Sequence, residues 1–131
     1  MADARVEAHW LKAEERLAAA HDLVTFRRYE DAVSRAYYAA FHAATATLLS
    51  LGIESKTHGG LRALFALHVV RPGLVARGVG RSLEDLYDNR RRSDYEVATY
   101  FGEEDAESAL ALAEAFLAAC RHVIGEGRAE P

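Results

Sequence analysis

The stretch VSRAYYAAFHAA, residues 33–44, decides the fold. Its apolar residues recur at spacings of three and four, as on a face of an α-helix, and the pattern extends from Tyr29 to Leu51. Alanine is dense here, so neighbouring backbones can come close, and both sides of the helix are largely covered by apolar residues. Gly52 then follows as a helix-stopping residue. We therefore predict a central helix over about 29–51.

Two further helices are predicted from the same spacing. One precedes the central helix and runs from about Ala4 to Leu23, with Trp10 on its apolar stripe. The other follows the loop IESKTHGG, takes Thr57 as its N-cap and ends at the sequence RPG, residues 71–73. Because the connections are short, helices that are neighbours in the sequence should pack antiparallel.

The C-terminal part of the chain predicts two more helices. One starts near Ser82, with Asp85 as its capping-box-like partner, after a loop that contains Gly73, Gly78 and Gly80. A second loop, YEVATYFG, should be anchored by three aromatic residues, Tyr95, Tyr100 and Phe101. The last helix runs from about Glu103 to Ile124, and the acidic residues at its start suit the helix dipole.

Length and composition indicate one helical domain. The chain has 131 residues, half of them hydrophobic, and only two prolines, which suits a core that needs no cross-links. We expect a single all-α domain over residues 1–131, an up-and-down bundle of four or five helices. Its core should span about 4–124, with a frayed tail at 125–131.

Net charge and cysteine content indicate which binding partners and which cellular compartment suit the protein. The net charge of −4 disfavours generic nucleic-acid binding, but six arginines face three acids between Arg71 and Arg92, a local basic excess. Cys120 is the only cysteine, which suits a reducing cytoplasm. The N-terminus has no apolar signal region and no segment approaches membrane-spanning length, so we expect a cytoplasmic protein without membrane contact. No metal-ligand motif occurs, and we expect neither metal nor cofactor.

The segment NRRRSDYE, residues 89–96, places charge where the fourth predicted helix should be apolar. The next positions of its stripe are Arg90 and Asp94, with Arg91 at the edge. A charge on an inward face needs a partner, and Asp94 lies at helical pairing distance from Arg90. The pair is either a structural ion pair or part of a functional site, because arginine also holds phosphate with a rigid fork.

Two other polar groups allow two interpretations each. Arg35, Tyr38 and His42 follow one line of the central helix, either as packing residues or as a ligand-binding line. Lys56 and His58 flank a helix N-terminus, where backbone N–H groups attract anions, although the segment can equally be an ordinary capping loop.

Three motifs together resemble the HEPN superfamily, and more narrowly the small HEPN proteins designated UPF0332. They are VSRAYYAAFHAA at 33–44, KTHGGL at 56–61 and RRRSDY at 90–95, and the resemblance covers roughly residues 4–124. The residues that match the motifs are Tyr37, Tyr38, Phe41, His42, Lys56, Thr57, His58, Arg90, Asp94 and Tyr95.

The resemblance implies a helical bundle that pairs as a homodimer with a cleft between its chains. It also implies a minimal nucleotidyltransferase as partner in a toxin–antitoxin module, and metal-independent ribonuclease activity in many members. The ribonuclease motif is an arginine, then four to six intervening residues, then a histidine. Here the positions that should hold histidine are Tyr95, Glu96 and Val97. His42 or His58 would have to supply the imidazole, since tyrosine with its usual pKa of about 10 is a poor acid at neutral pH.

Three functions remain open at this point. The first is a binding module that holds a nucleotide, RNA or a partner segment through Arg35, Tyr38, His42, Lys56, His58 and Arg91. The second is a ribonuclease toxin with an altered motif, whose candidate catalytic residues are Arg90, Asp94 and Tyr95. The third is a structural homodimer without a ligand, in which Arg90 and Asp94 form an ion pair.

Overall fold

The computed structural model describes residues 3–95 and 100–128, with side chains described up to residue 125. Within these residues the chain forms five α-helices and no strand, as predicted. They are α1 (Ala4–Thr25), α2 (Tyr29–Ser50), α3 (His58–Phe65), α4 (Arg77–Tyr95) and α5 (Glu103–Arg128). A π-helical segment, Ala66–Val70, continues α3.

The helix α2 is the centre of the bundle because its small side chains let its neighbours approach closely. It contacts α1, α3, α4 and α5, and most extensively α1 and α5. Interiors are packed to the density of organic crystals, so a row of alanines fixes how near a neighbouring helix lies. Seven alanines of α2 are fully buried: Ala32, Ala36, Ala39, Ala40, Ala43, Ala44 and Ala46. The predicted central position is confirmed, except that Leu51 lies outside the helix and is exposed.

The order of the helices is up and down. The helices α1 and α2 are joined by the three residues 26–28, with Arg27 at a positive φ of 62° that closes the turn. The helix α4 runs antiparallel to α2, because Ser93 donates a hydrogen bond to Glu30 at 2.8 Å while Arg90, nearer the middle of α4, lies over Tyr38. The N-terminal half of α2 thus contacts the end of the antiparallel α4, and its C-terminal half contacts the start of the antiparallel α1 through His42 and His9.

The helix α4 begins at Arg77 and not near Ser82, so the predicted start was wrong. Gly78 and Gly80 lie inside the helix, although glycine usually favours a loop. The physical reason is close packing, since a Cβ at Gly80 would lie 2.8 Å from a methyl group of Val70. The hydroxyl of Ser82 donates to the carbonyl of Gly78 at 2.9 Å, as in a helix interior, and forms no capping box.

The helix α5 begins at Glu103 as predicted, and all six residues predicted to face inward are buried: Ala106, Leu110, Ala113, Leu117, Cys120 and Ile124. It continues to Arg128, so the frayed tail was predicted too early, and 129–131 lie outside the described residues. Contrary to the prediction, the segment 103–125 is long and apolar enough to cross a membrane by length and composition alone. A core helix of a bundle passes the same test, and α5 packs along α2.

The loop before α5 is anchored by one aromatic residue, not three. Phe101 is buried, whereas Tyr95 and Tyr100 are 80% and 83% exposed. The rest of that predicted loop, residues 96–99, lies outside the described residues. Two exposed tyrosine rings thus flank the C-terminal end of α4.

Candidate functional site

An aromatic cluster connects α2 with α3 and α4. Its members are Tyr37, Tyr38, Phe41 and His42 of α2, His58 of α3 and Tyr87 of α4, with ring centroids 4.2–6.5 Å apart at each contact. The four residues of α2 lie close together because positions four apart share a helix face. The structure therefore brings two of the predicted binding residues, Tyr38 and His58, into ring contact, whereas His42 joins the cluster only through Phe41.

Arg90 lies over this aromatic cluster. Its guanidinium carbon is 4.9 Å from the ring centroid of Tyr38 and 5.6 Å from that of Tyr37. One terminal nitrogen lies 3.3 Å from Asp94 Oδ2, so the predicted pairing is observed. The two side chains are 26% and 41% exposed, so this is a half-exposed pair rather than a buried one. The Nε atom of Arg90 is buried and has no hydrogen-bond partner among the described residues.

Arg62 is a second guanidinium on the same cluster, and sequence reasoning missed it. Its guanidinium carbon lies 3.7 Å above the ring centroid of Tyr87, a close cation–π contact. One terminal nitrogen donates to Glu84 at 3.1 Å, and Nε is again buried without a partner among the described residues. A signal was present, because Arg62 follows His58 by four residues and so shares its helix face.

Tyr37 and His58 are joined beneath these guanidinium groups. The Tyr37 hydroxyl lies 3.3 Å from Nδ1 of His58, whose ring stacks on Phe41 at 4.2 Å between centroids. Burial raises the pKa of Tyr37 to about 12, although Arg62 and Arg90 act in the opposite direction. Burial, and then the positive charges of Arg90 and Arg62, lower the pKa of His58. At neutral pH the tyrosine is protonated and the histidine is uncharged.

His42 faces α1 rather than Arg90. Its Nδ1 lies 3.1 Å from Nδ1 of His9, and Phe41 lies between it and His58. Burial, and next the neighbouring His9, lower the pKa of His42 to about 4. Because the distance requires one nitrogen to donate and the other to accept, the two uncharged imidazoles form a hydrogen bond that links α1 to α2.

A cleft of about 200 Å³ opens beside His58. Apolar side chains, including Leu48, Leu49 and Ile53, line part of it, while Lys56 and His58 contribute polar groups. Thr57 accepts a hydrogen bond from the backbone N–H of Gly60 at 2.8 Å, which confirms the predicted N-cap. Lys56 is exposed and has no hydrogen bond or ion pair with a described residue.

The remaining predicted residues lie away from the cluster. Arg35, Arg91 and Tyr95 are exposed, and none makes a hydrogen bond, ion pair or ring contact with another described residue. Glu96 and Val97 of the expected motif window lie outside the described residues. Within 3–95 and 100–128, no three His, Cys, Asp or Glu side chains are grouped so that they could hold a metal ion. The arrangement thus offers uncharged and cationic hydrogen-bond donors to an acceptor-rich ligand.

Comparison with known proteins gives the family. Residues 6–123 match the HEPN domain model. The chain is 41% identical over 105 residues to a Methanocaldococcus jannaschii protein named "Putative toxin MJ0605", covering 80% of this chain and 78% of that protein. It is 31% identical over 121 residues to a UPF0332 protein of Thermotoga maritima, covering 92% of each.

A solved structure has the same fold. The crystal structure of TT1696 from Thermus thermophilus matches with a TM-score of 0.79 at 21% identity, over 91% of this chain and 98% of that one. At that identity the likeness concerns the fold alone. With the family model and the relatives, it identifies the chain as a member of the HEPN family, of the UPF0332 type.

Proposed function

We propose that this HEPN protein is the toxin-like component of a two-component module and that it binds a nucleotide or RNA at the aromatic cluster. The observation that supports this is a pair of guanidinium groups, Arg62 and Arg90, which lie over aromatic rings and each pair with a carboxylate through one terminal nitrogen. The other terminal nitrogen of each group makes no hydrogen bond with a described residue, and phosphate oxygens are strong acceptors for arginine. Aromatic rings beside them provide faces on which bases stack.

The charge distribution favours a short ligand over a long polyanion. The chain carries a net charge of −4, so the field of the whole molecule repels a phosphate backbone. A local group of cations opposes that field, with Arg62 and Arg90 near His58 and Lys56 two residues before it. We therefore expect one or two phosphate contacts and a shallow salt dependence of the affinity.

The test is the affinity of a fluorescently labelled single-stranded RNA, measured by anisotropy at several salt concentrations. Arg90→Gln should weaken binding about tenfold, the loss of roughly one charge-assisted contact. It should also reduce the salt slope by about 0.7, the value for one phosphate contact on a single strand. Lys12→Gln removes one positive charge at an exposed position of α1 and should leave both values unchanged. Equal affinities for the wild type and Arg90→Gln would contradict the proposal.

A second candidate function is metal-independent RNA cleavage. The observation in its favour is that His58 contributes an imidazole beside Tyr38, with ring centroids 6.5 Å apart, and that Arg90 lies over the Tyr38 ring. A cationic group on the phosphate and an imidazole nearby are two requirements of such a reaction. Cleavage in the presence of a chelator that disappears in Arg90→Gln and in His58→Gln would establish it. An intact substrate after incubation with the wild type would exclude it.

We further propose that the chain forms a homodimer and has a nucleotidyltransferase as its partner. Exposed tyrosines are enriched at protein interfaces, and Tyr95 and Tyr100 flank the end of α4 that carries Arg90. Light scattering should give twice the 14.4 kDa mass of one chain, and Tyr100→Ser should lower the mass at dilution. If the dimer were purely structural, Arg90→Gln would reduce the mass and leave RNA affinity unaltered.

A further inference from the structure

The hydrogen bond between Tyr37 and His58 restricts how His58 can act. The Tyr37 side chain is fully buried, and its hydroxyl has one hydrogen-bond partner among the described residues, Nδ1 of His58 at 3.3 Å. A phenol in an apolar interior keeps its proton at neutral pH. If His58 carried its hydrogen on Nδ1, that N–H would donate to the Tyr37 oxygen, and the buried phenol O–H would be left without an acceptor.

We propose that Tyr37 donates its hydrogen bond to Nδ1 and thereby fixes His58 in the uncharged tautomer that carries its hydrogen on Nε2. Tyr37 is then a positioning residue, and His58 meets a ligand through an N–H donor. Nε2 makes no hydrogen bond with any described residue, and His58 is exposed, so this donor is accessible to a ligand. The tautomer is inferred from the structure alone, whereas the binding of a ligand at Nε2 depends on the proposed function.

The neighbours of His58 define the chemical class of that ligand. Burial, and then the nearby charges of Arg90 and Arg62, lower the pKa of its imidazole, and Lys56 lies two residues before it. Guanidinium and ammonium groups donate hydrogen bonds and accept none. The carboxylates nearest to the two arginines, Glu84 and Asp94, are already paired with them. The site therefore suits a ligand with anionic oxygen acceptors, as on a phosphoryl group.

The same tautomer limits the chemistry of His58. Its Nδ1 lone pair is occupied by Tyr37 and its Nε2 carries hydrogen, so neither nitrogen can accept a proton from a ribose hydroxyl. An uncharged imidazole N–H stabilises negative charge on a ligand oxygen by donating to it, without transferring the proton. If RNA is cleaved at this site, the general base is a group other than His58.

The test is a long-range ¹H–¹⁵N spectrum of the uniformly labelled protein at neutral pH without ligand, with the His58 signals assigned by His58→Gln. The wild type should show Nε2 as the nitrogen that carries hydrogen and Nδ1 as the bare one. Tyr37→Phe should move the two nitrogen shifts towards each other and raise the pKa of His58, since protonation of Nδ1 no longer leaves a buried hydroxyl unsatisfied. Tyr87→Phe is the matched control, because its ring contacts Tyr37 at 5.7 Å while its hydroxyl bonds to no described residue.

A wild-type spectrum with hydrogen on Nδ1, or with equal shifts in the wild type and Tyr37→Phe, would overturn the inference. If Tyr37→Phe does not fold, the wild-type spectrum alone still decides the tautomer. Titration with the short RNA then separates this inference from the proposed function. Movement of the Nε2 signal supports a donor role, whereas RNA that binds without moving it overturns that role. RNA that fails to bind while the tautomer is as expected contradicts the proposed function and leaves the role of Tyr37 intact.

Discussion

The two faces of α2 are built in opposite ways. One face carries the fully buried alanines, such as Ala36 and Ala43, and its geometry is set by shape alone. The other carries the aromatic cluster, over which Arg62 and Arg90 hold partly buried charges whose Nε atoms have no hydrogen-bond partner among the described residues. Natural proteins leave buried hydrogen-bonding groups without partners mainly where function requires it. The difference thus separates the scaffold of this bundle from its candidate site on a single helix.

The largest expected effect follows from enlarging the alanine face. Ala43→Leu adds three carbon atoms at a position with no exposed surface. Overpacking of a filled core costs about 1–3 kcal/mol or more, and here α2 has no free side to which it can move. Urea unfolding should therefore show a loss of about 3 kcal/mol. Ala18→Leu, at an exposed position of α1, is the control and should change stability by less than about 0.5 kcal/mol. Similar losses of stability in both variants would mean that the alanine face is not closely packed.

A smaller effect concerns the contact between His42 and His9, where the cluster meets α1. The pKa of His42 falls from its ordinary 6.5 to about 4 in the folded chain, so between these values the unfolded chain binds more protons. The stability that the folded chain gains from keeping His42 uncharged is complete above pH 6.5 and is lost as the pH falls towards 4. Urea unfolding at pH 7 and pH 4.5 should show that the wild type loses more stability than His42→Gln, by on the order of 2 kcal/mol. An equal loss in both proteins would show that His42 titrates normally.

The smallest effect tests how the start of α3 is fixed. Thr57→Ala removes the N-cap bond to Gly60 and should cost about 1 kcal/mol. Thr25→Ala is a matched control, because its hydroxyl bonds to the carbonyl of His21 at the last residue of α1 and caps no N-terminus. Since α3 positions His58 and Arg62, only the Thr57 variant should also weaken RNA binding. A larger stability loss for Thr25→Ala would contradict the assigned cap.

The scaffold could be predicted from the sequence further than the site. Apolar spacing located all five helices because burial repeats with the helical period, and it failed at the start of α4, where Gly80 is required by the nearby Val70. The pairing of Arg90 with Asp94 was accessible because both lie on one helix. Their meeting with Arg62 was not, because it depends on how α3 and α4 cross α2.

His42 also shows that the sequence does not reveal which helix a side chain contacts. It lies four residues after Tyr38, and spacing placed both in one line, yet one faces α1 and the other Arg90. Position on a helix gives the face of a side chain, but the neighbouring helices decide which partner it meets.

The most direct test of the central claim is the RNA affinity of the double variant Arg62→Gln/Arg90→Gln beside the wild type and each single variant. If both guanidinium groups hold one ligand on the aromatic cluster, the double variant should bind roughly a hundredfold more weakly than the wild type, at a temperature where all four proteins are folded. Wild-type affinity in the double variant would show that the unsatisfied arginines serve the bundle alone and that the ligand, if there is one, binds elsewhere.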